Sequence, residues 1–595
     1  MRELIVPPLR EVAPEANLSG LIVDNAIKSP HNVAFRRRAG SRWEDVTARD
    51  FLAEVNALAK GLIASGVQVG ERVAIMSRTR YEWTLADFAI WSAGGVVVPI
   101  YETSSAEQVQ WILGDSGSVA VFVETDKHEG IVEDVLSDLP GLKHIWNLDG
   151  GVIESLAALG ADVPDGEIDA RRKAVAAKDL ATIIYTSGTT GRPKGCMLTH
   201  GNFLHDSYNA VGALGEVFEA DSSTLMFLPL AHVFGRIIQI SCVYNGVTMG
   251  HSPDIKNLLD DLGEFQPSFI LSVPRVFEKV YNGAQAKAAG EGKGAIFDRA
   301  ADVAIRYSTA LDTGGPSLGL RLQHALFDKL VYSKLRARLG GRCAWGVSGG
   351  AALGSRLGHF FRGIGLTVLE GYGLTETSAA TSVGTPTQFK VGTVGRPLPG
   401  TGVRIAADGE IMLSGAHIFQ GYWNNEAATA EAIEGGWFHT GDIGEIDDDG
   451  FIKITGRKKE IIVTAGGKNV APAVLEDRLR AHTLISQCMV VGDGKPFIGC
   501  LVTLDPESLP VWLGIHGKPA DLTPAQAAED HDVIAEIQRS VDEANKAVSH
   551  AEAIKKFRIL TVDFTEETGH LTPSMKLKRN IVLKDFGNEV EALYG

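Results

Sequence analysis

The sequence predicts an α/β protein with a large N-terminal domain of layered sheets and helices, followed by a smaller α+β domain. Two observations carry this expectation. Between residues 72 and 124, short apolar segments alternate with helical ones; strands buried on both faces and joined through helices form parallel layers. After about residue 400 the texture changes to closely spaced glycine turns, and past residue 456 a fresh pattern of helix, strand and helix runs to the end. A chain of 595 residues also exceeds what one ordinary core holds.

Taken in order, residues 72–77, 96–101 and 119–124 are the expected strands, and residues 81–94 and 105–117 the helices between them. Residues 154–178 are polar, alanine-rich and loosely periodic, which reads as a surface excursion. Residues 320–339 read as one amphipathic helix. Leu322, Leu326 and Leu330 recur four apart, Phe327, Val331 and Leu335 form the adjoining stripe, and Gly340 and Gly341 close it. Asp408-Gly409 and Asp449-Gly450 each sit between apolar runs, the signature of hairpins. The division that fits best gives domains 1–456 and 457–595.

The net charge of −16 gives no general attraction to nucleic acid or to an anionic membrane, so any polyanion site is local. Five scattered cysteines without a CxxC pair point to neither a disulfide framework nor a zinc site. The N-terminus lacks the apolar core of a signal peptide. The longest apolar run, residues 88–101, is shorter than a bilayer span and contains Gly94, Gly95 and Pro99. A cytoplasmic enzyme is the expectation, with peripheral contact at the inner face of a membrane left open and the oligomeric state not legible.

The stretch YTSGTTGRPKG, residues 185–195, follows a short apolar run. Its glycines let backbone N–H groups face an anion, its hydroxyls add neutral donors, and Lys194 adds charge. Composition alone leaves both a phosphate cradle and a plain surface loop open. The P-loop of nucleotide triphosphatases is excluded by spacing. Five residues after Gly188 stands Pro193, and Lys194 is followed by Gly195.

Six further motifs follow in order: FLPLAHVFGR (227–236), SGGAALG (348–354), EGYGLTET (370–377), GWFHTGD (436–442), GRKKEIIVTAGGKN (456–469) and LTPSMKLKR (571–579). With the loop, this series resembles the adenylate-forming superfamily of acyl-CoA synthetases, luciferases and peptide-synthetase adenylation domains. LPLAHVFGR and SVPRVFEKVY (272–281), with the helical region 284–339, are similar to its long-chain fatty acyl-CoA synthetase branch, and the run of motifs is similar to actinobacterial members.

The resemblance implies an ATP-dependent reaction in two steps: a fatty acid gives acyl-AMP and pyrophosphate, then coenzyme A displaces AMP. It implies a phosphate loop of Thr186, Ser187, Gly188, Thr189, Thr190 and Lys194. Tyr372 would stack on adenine beside Gly350, Ala351 and Gly371, Thr375 would contact phosphate, and Glu376 with Thr186 would hold Mg²⁺. Asp442 would accept the ribose hydroxyls, with Arg457 assisting and Lys459 reaching phosphate. Lys576 would be the catalytic lysine of the first step, and His232 would sit where the carboxylate enters. Because Lys576 lies in the other domain, the C-terminal domain is implied to be mobile. Lys458 would be its hinge, and Gly466 and Gly467 would allow close approach of pantetheine in the second step. Some long-chain members carry a gating tryptophan where this chain has Arg236. Read singly, Tyr372 is a core aromatic, Glu376 a helix cap, Asp442 a turn former, and the lysines parts of solvated basic clusters; the ordered set is what favours a site.

Other readings stay open in the sequence. A fatty acyl-AMP ligase would pass the acyl group to a carrier protein, but such enzymes carry an insertion ahead of the hinge, where this chain has only a compact run from 395 to 456. A nucleotide-binding pseudoenzyme is expected to lack Glu376 or Lys576, and both are present. A kinase would release ADP in place of AMP. Medium-chain or aryl acids are alternative substrates.

Overall fold

The computed structural model describes residues 2–40, 42–186, 192–219, 221–572 and 575–595. Among the described residues the N-terminal part contains four sheets. The central one has seven strands in the order Gly421–Tyr422, Lys194–Thr199, Leu180–Thr186, Val96–Ile100, Arg72–Met76, Ser118–Val123 and His144–Asn147. Its middle strands pair in parallel, and Val96–Ile100 is buried throughout, as the apolar runs require. The intervening helix Tyr81–Ser92 is buried on almost every side, which explains why its sequence shows no apolar stripe.

A second sheet runs Phe269–Ser272, Trp345–Ser348, Thr367–Tyr372, Ser382–Val383 and Arg396–Pro397. A third holds both expected hairpins. Thr401–Ile405 pairs with Glu410–Gly415 around Gly409, and Trp437–Ile446 pairs with Ile452–Arg457 around Gly450, each turn glycine having a positive φ. The site described below lies where strands of these three sheets end.

Two expectations are corrected. Residues 154–178 are not an excursion, because they form parts of the helices Val152–Leu159 and Asp165–Lys173. Each buries a single side chain, Leu156 or Ile168, too few to write a clear period. Val152–Leu159 packs on Ala48–Ala64 so tightly that a Cβ on Gly61 would stand 2.2 Å from the Leu156 carbonyl oxygen. Residues 320–339 are not one regular helix either. Leu318–Phe327 passes into a π turn, Asp328–Tyr332, before Ser333–Arg338. The wider turn lets Tyr332 enter the core, where its hydroxyl donates to the Ala300 carbonyl at 2.7 Å.

The C-terminal part has its own sheet, Ile485–Val491, Ile498–Leu504 and Ile554–Ile559, with a core on each face. Leu475, Val502, Leu513 and Ile537 belong to one, and Leu501, Phe564, Val582 and Leu593 to the other. Polar links tie it to the N-terminal part: Arg275 with Asp505 at 3.1 Å, Arg356 with the Ala481 carbonyl at 2.9 Å, and Thr103 with Glu566. The C-terminal part thus has cores of its own, separate from those of the N-terminal part.

Candidate active site

The hairpin register places Asp442 directly opposite Arg457. Arg457 Nε donates to Asp442 Oδ1 at 2.9 Å, and Tyr372, the last residue of Thr367–Tyr372, donates its hydroxyl to Oδ2 at 2.6 Å. Both carboxylate oxygens are thus fixed. Burial and the Asp442 charge hold the Tyr372 proton well above the ordinary tyrosine range. Burial opposes the Arg457 charge, but Asp442 outweighs it and raises that pKa. Gly350, with positive φ, and Ala351 are exposed on the turn after Trp345–Ser348. Gly371 lies in the Thr367–Tyr372 strand, where a Cβ would come within 3.3 Å of the Ser382 carbonyl oxygen.

Thr186 pairs with Lys194 in the central sheet, bracketing the expected phosphate loop. Ser187, Gly188, Thr189 and Thr190 lie outside the described residues. Lys194 Nζ stands 4.9 Å from the Tyr422 ring centroid, and the Tyr422 hydroxyl donates to Glu376 Oε1 at 2.8 Å. Beneath them, Cys196 contacts the Thr186 hydroxyl at 3.8 Å, and burial together with the Glu376 charge pushes its thiol far up. Thr186 and Glu376 therefore meet over one buried cysteine. A hydroxyl and a carboxylate are hard oxygen donors of the kind Mg²⁺ takes, so the residues fit that ion.

Glu376 is carried on a short turn, Thr375–Thr377, whose continuation is strained: Ser378 has φ +58° and Ala379 +101°. The bend is closed so tightly that a Cβ on Gly373 would lie 1.5 Å from the Ala379 carbonyl oxygen. Three bonds pin it, from Ala380 N to Asp206 at 3.0 Å, Ser378 Oγ to the His417 carbonyl at 2.8 Å, and Phe419 N to the Glu376 carbonyl at 2.9 Å.

Lys576 reaches this space from the C-terminal part, on an exposed turn where Thr572 Oγ1 accepts its backbone N–H at 3.0 Å. Crowding by the surrounding protein lowers its ammonium pKa and the Arg457 charge adds to this, while Asp442, Glu376 and Glu460 act in the opposite direction. Lys576 thus feels the carboxylates at both ends of the cleft. His232 caps the helix Val233–Asn245 by accepting the Phe234 N–H through Nδ1 at 3.1 Å. Burial, reinforced by the Lys576 charge, holds it down to about 3. A neutral ring with Nδ1 accepting carries its proton on Nε2.

Lys458 Nζ pairs with Asp408 at 2.6 Å and Glu410 at 3.1 Å, and Glu410 also accepts the Gly441 N–H at 2.9 Å. Lys459 is exposed on the same turn, Lys458–Glu460. Gly466 and Gly467 sit on an exposed turn between Ile462–Val463 and Asn469–Val470. Tyr422, Glu410, Asp206 and the Ser378–Ala379 bend were not visible in sequence. Each acts on a residue distant in the chain, and only the tight closure of the bend has a local cue, in Gly373.

The sequence from 23 to 423 matches the family model described as AMP-binding enzyme, and 459–595 matches AMP-binding enzyme C-terminal domain. The chain is 52% identical, over the full length of both, to the long-chain-fatty-acid–CoA ligase FadD15 of Mycobacterium bovis, and equally to that of Mycobacterium tuberculosis. It is 31% identical to the long-chain-fatty-acid–CoA ligase ACSBG2 of Xenopus laevis, over 98% of this chain and 84% of the relative. Among solved structures, the anthranilate CoA ligase AuaEII in complex with anthranoyl-AMP superposes with a TM-score of 0.72 at 19% identity, covering 96% of this chain and 98% of that one. A Mycobacterium tuberculosis fatty acyl CoA synthetase gives 0.63 at 22%, covering 96% and 99%.

Proposed function

The chain belongs to the AMP-binding enzyme family, on its long-chain fatty acyl-CoA ligase branch, and from that premise we propose how its residues divide the work. The protein joins a long-chain fatty acid to coenzyme A at the expense of ATP. In the first step a carboxylate oxygen attacks the α-phosphorus, the bond to the β-phosphate oxygen breaks, and pyrophosphate leaves. In the second the thiol sulfur attacks the acyl carbonyl, the thiol proton is released and AMP leaves.

The observation that carries the assignment of roles is Lys576 standing within electrostatic reach of Asp442, Arg457, Glu376 and His232. One ammonium between two anions offsets their repulsion and stabilises charge developing at the transferred oxygen. Tyr372 and Arg457 hold Asp442 ready for the ribose diol. Tyr372 also flanks the adenine with Gly350, Ala351 and Gly371. Thr375, Lys194 and the loop Ser187–Thr190 take the phosphates, with Lys459 at their edge. Glu376 and Thr186 hold Mg²⁺, which neutralises phosphate charge when bound. The His232 Nε2–H donates to the acyl carboxylate.

The division at 456/457 makes Lys458 the pivot of the C-terminal domain, latched here by Asp408 and Glu410. Rotation about it withdraws Lys576 and brings Gly466 and Gly467 to the pantetheine path. The described residues contain no helix long and apolar enough to cross a membrane. The test is AMP release over carboxylic acids of graded length, with and without coenzyme A. Each buried methylene is worth about 0.8 kcal/mol, so a long-chain site strongly disfavours short acids. A kcat/KM series favouring acetate or benzoate contradicts the long-chain assignment.

A further inference from the structure

The stretch from Leu318 to Arg338 has two apolar faces, and only one is covered. Phe327 and Tyr332 are buried, and Leu320, Val331 and Leu335 pack partly against the same core. The other face carries Leu318, Leu322, Leu326 and Leu330, which are 78%, 74%, 56% and 49% exposed. Single exposed leucines are ordinary, but Leu318, Leu322 and Leu326 repeat four apart along one regular α-helix, a stripe about 12 Å long, and Leu330 extends it into the π turn. The neighbouring helix Gly294–Leu311 also exposes Ile296 and Leu311.

The charge around this stripe is opposite to that of the whole molecule. From 318 to 342 the chain carries Arg321, Lys329, Lys334, Arg336, Arg338 and Arg342 against a single acid, Asp328, although the net charge overall is −16. Asp328 is taken by Arg336 at 2.7 Å. Nearby Asp302 and Glu291 are paired with Arg306 at 2.9 Å and Lys293 at 2.8 Å. Among the described residues no carboxylate makes an ion pair with Lys329, Arg338 or Arg342.

We propose that this leucine stripe and its basic border dock the protein on an anionic lipid surface. Leucines entering the acyl boundary while flanking cations stay at the headgroups is the chemistry of an interfacial helix. A second copy of the chain is disfavoured as the occupant, because two-fold pairing would set the same cations against one another. The proposal is independent of the reaction in the cleft.

The test is sedimentation of the full chain with vesicles of phosphatidylcholine alone and with added phosphatidylglycerol, at low and raised salt. The expected result is binding to the anionic vesicles that weakens with salt. Leu322→Glu with Leu326→Glu should weaken it about ten-fold or more, and Lys329→Ala with Arg338→Ala roughly five-fold per cation. Turnover of a short, water-soluble acid should be unchanged in both variants, since neither touches the cleft. Equal partitioning to both vesicle types, or variants that bind as the parent does, overturns the proposal. So does light scattering that shows a parent dimer dissociated by the leucine substitutions, which assigns the face to a second copy.

Discussion

The Tyr372 hydroxyl donates to Asp442 Oδ2 at 2.6 Å from a strand of one sheet to a strand of another. With Arg457 on the other oxygen, Asp442 is oriented before any nucleotide arrives. Asp442→Asn should therefore raise the ATP KM about 10- to 100-fold through loss of charge-assisted bonds. Tyr372→Phe should raise it less. Initial rates against ATP concentration measure both.

Glu376→Gln keeps the shape of the side chain but removes the charge that would hold Mg²⁺. The rate should recover at raised Mg²⁺, with half-activation shifted about ten-fold or more. An unshifted Mg²⁺ titration removes Glu376 from the metal site.

In the proposed first step Lys576 acts as an ammonium, and its folded-state pKa is lowered by crowding and then by Arg457. The active form is the protonated one, so rate is retained below that pKa and lost as pH rises through it. The alkaline limb of the first half-reaction should begin below the ordinary lysine value of about 10.4. Lys576→Arg should abolish that limb even where activity is reduced, because guanidinium stays charged.

Arg236 is fully buried, donating to Asp87 at 2.5 Å and Thr182 at 2.6 Å among the rings of Trp83, Trp91 and Phe203. Gln239 donates to the other oxygen of Asp87 at 2.8 Å. Arg236→Met leaves a buried carboxyl without its cation and should cost about 3–5 kcal/mol. The double substitution Arg236→Met with Asp87→Leu should recover much of that. Thermal unfolding of the two variants decides it. Arg236 thus ties two helices to the central sheet.

Elements that bury a whole face, such as Val96–Ile100, were legible in the sequence because burial dictates composition. The hairpins were legible because their turns require glycine at Gly409 and Gly450. The helices Val152–Leu159 and Asp165–Lys173 were hidden because each has a single buried anchor. The π turn was hidden because it follows from Tyr332 seeking the core, a tertiary effect. In the cleft, the motifs marked Glu376, Asp442 and Lys576. Their supports Tyr422, Asp206 and Glu410 were not marked, since a bond such as Tyr422 to Glu376 spans parts of the chain with no local relation.

In the proposed cycle one lysine from the C-terminal domain, Lys576, serves the first step alone. The measurement is the pair of half-reactions on Lys576→Ala, with pyrophosphate release from fatty acid and ATP in one and thioester formation from synthetic acyl-AMP and coenzyme A in the other. Lys576 is exposed, so the substitution should leave the fold intact. The expected result is a first step reduced by about three orders of magnitude or more and a second step close to that of the parent. Equal loss of both half-reactions, or a first step that survives, contradicts it.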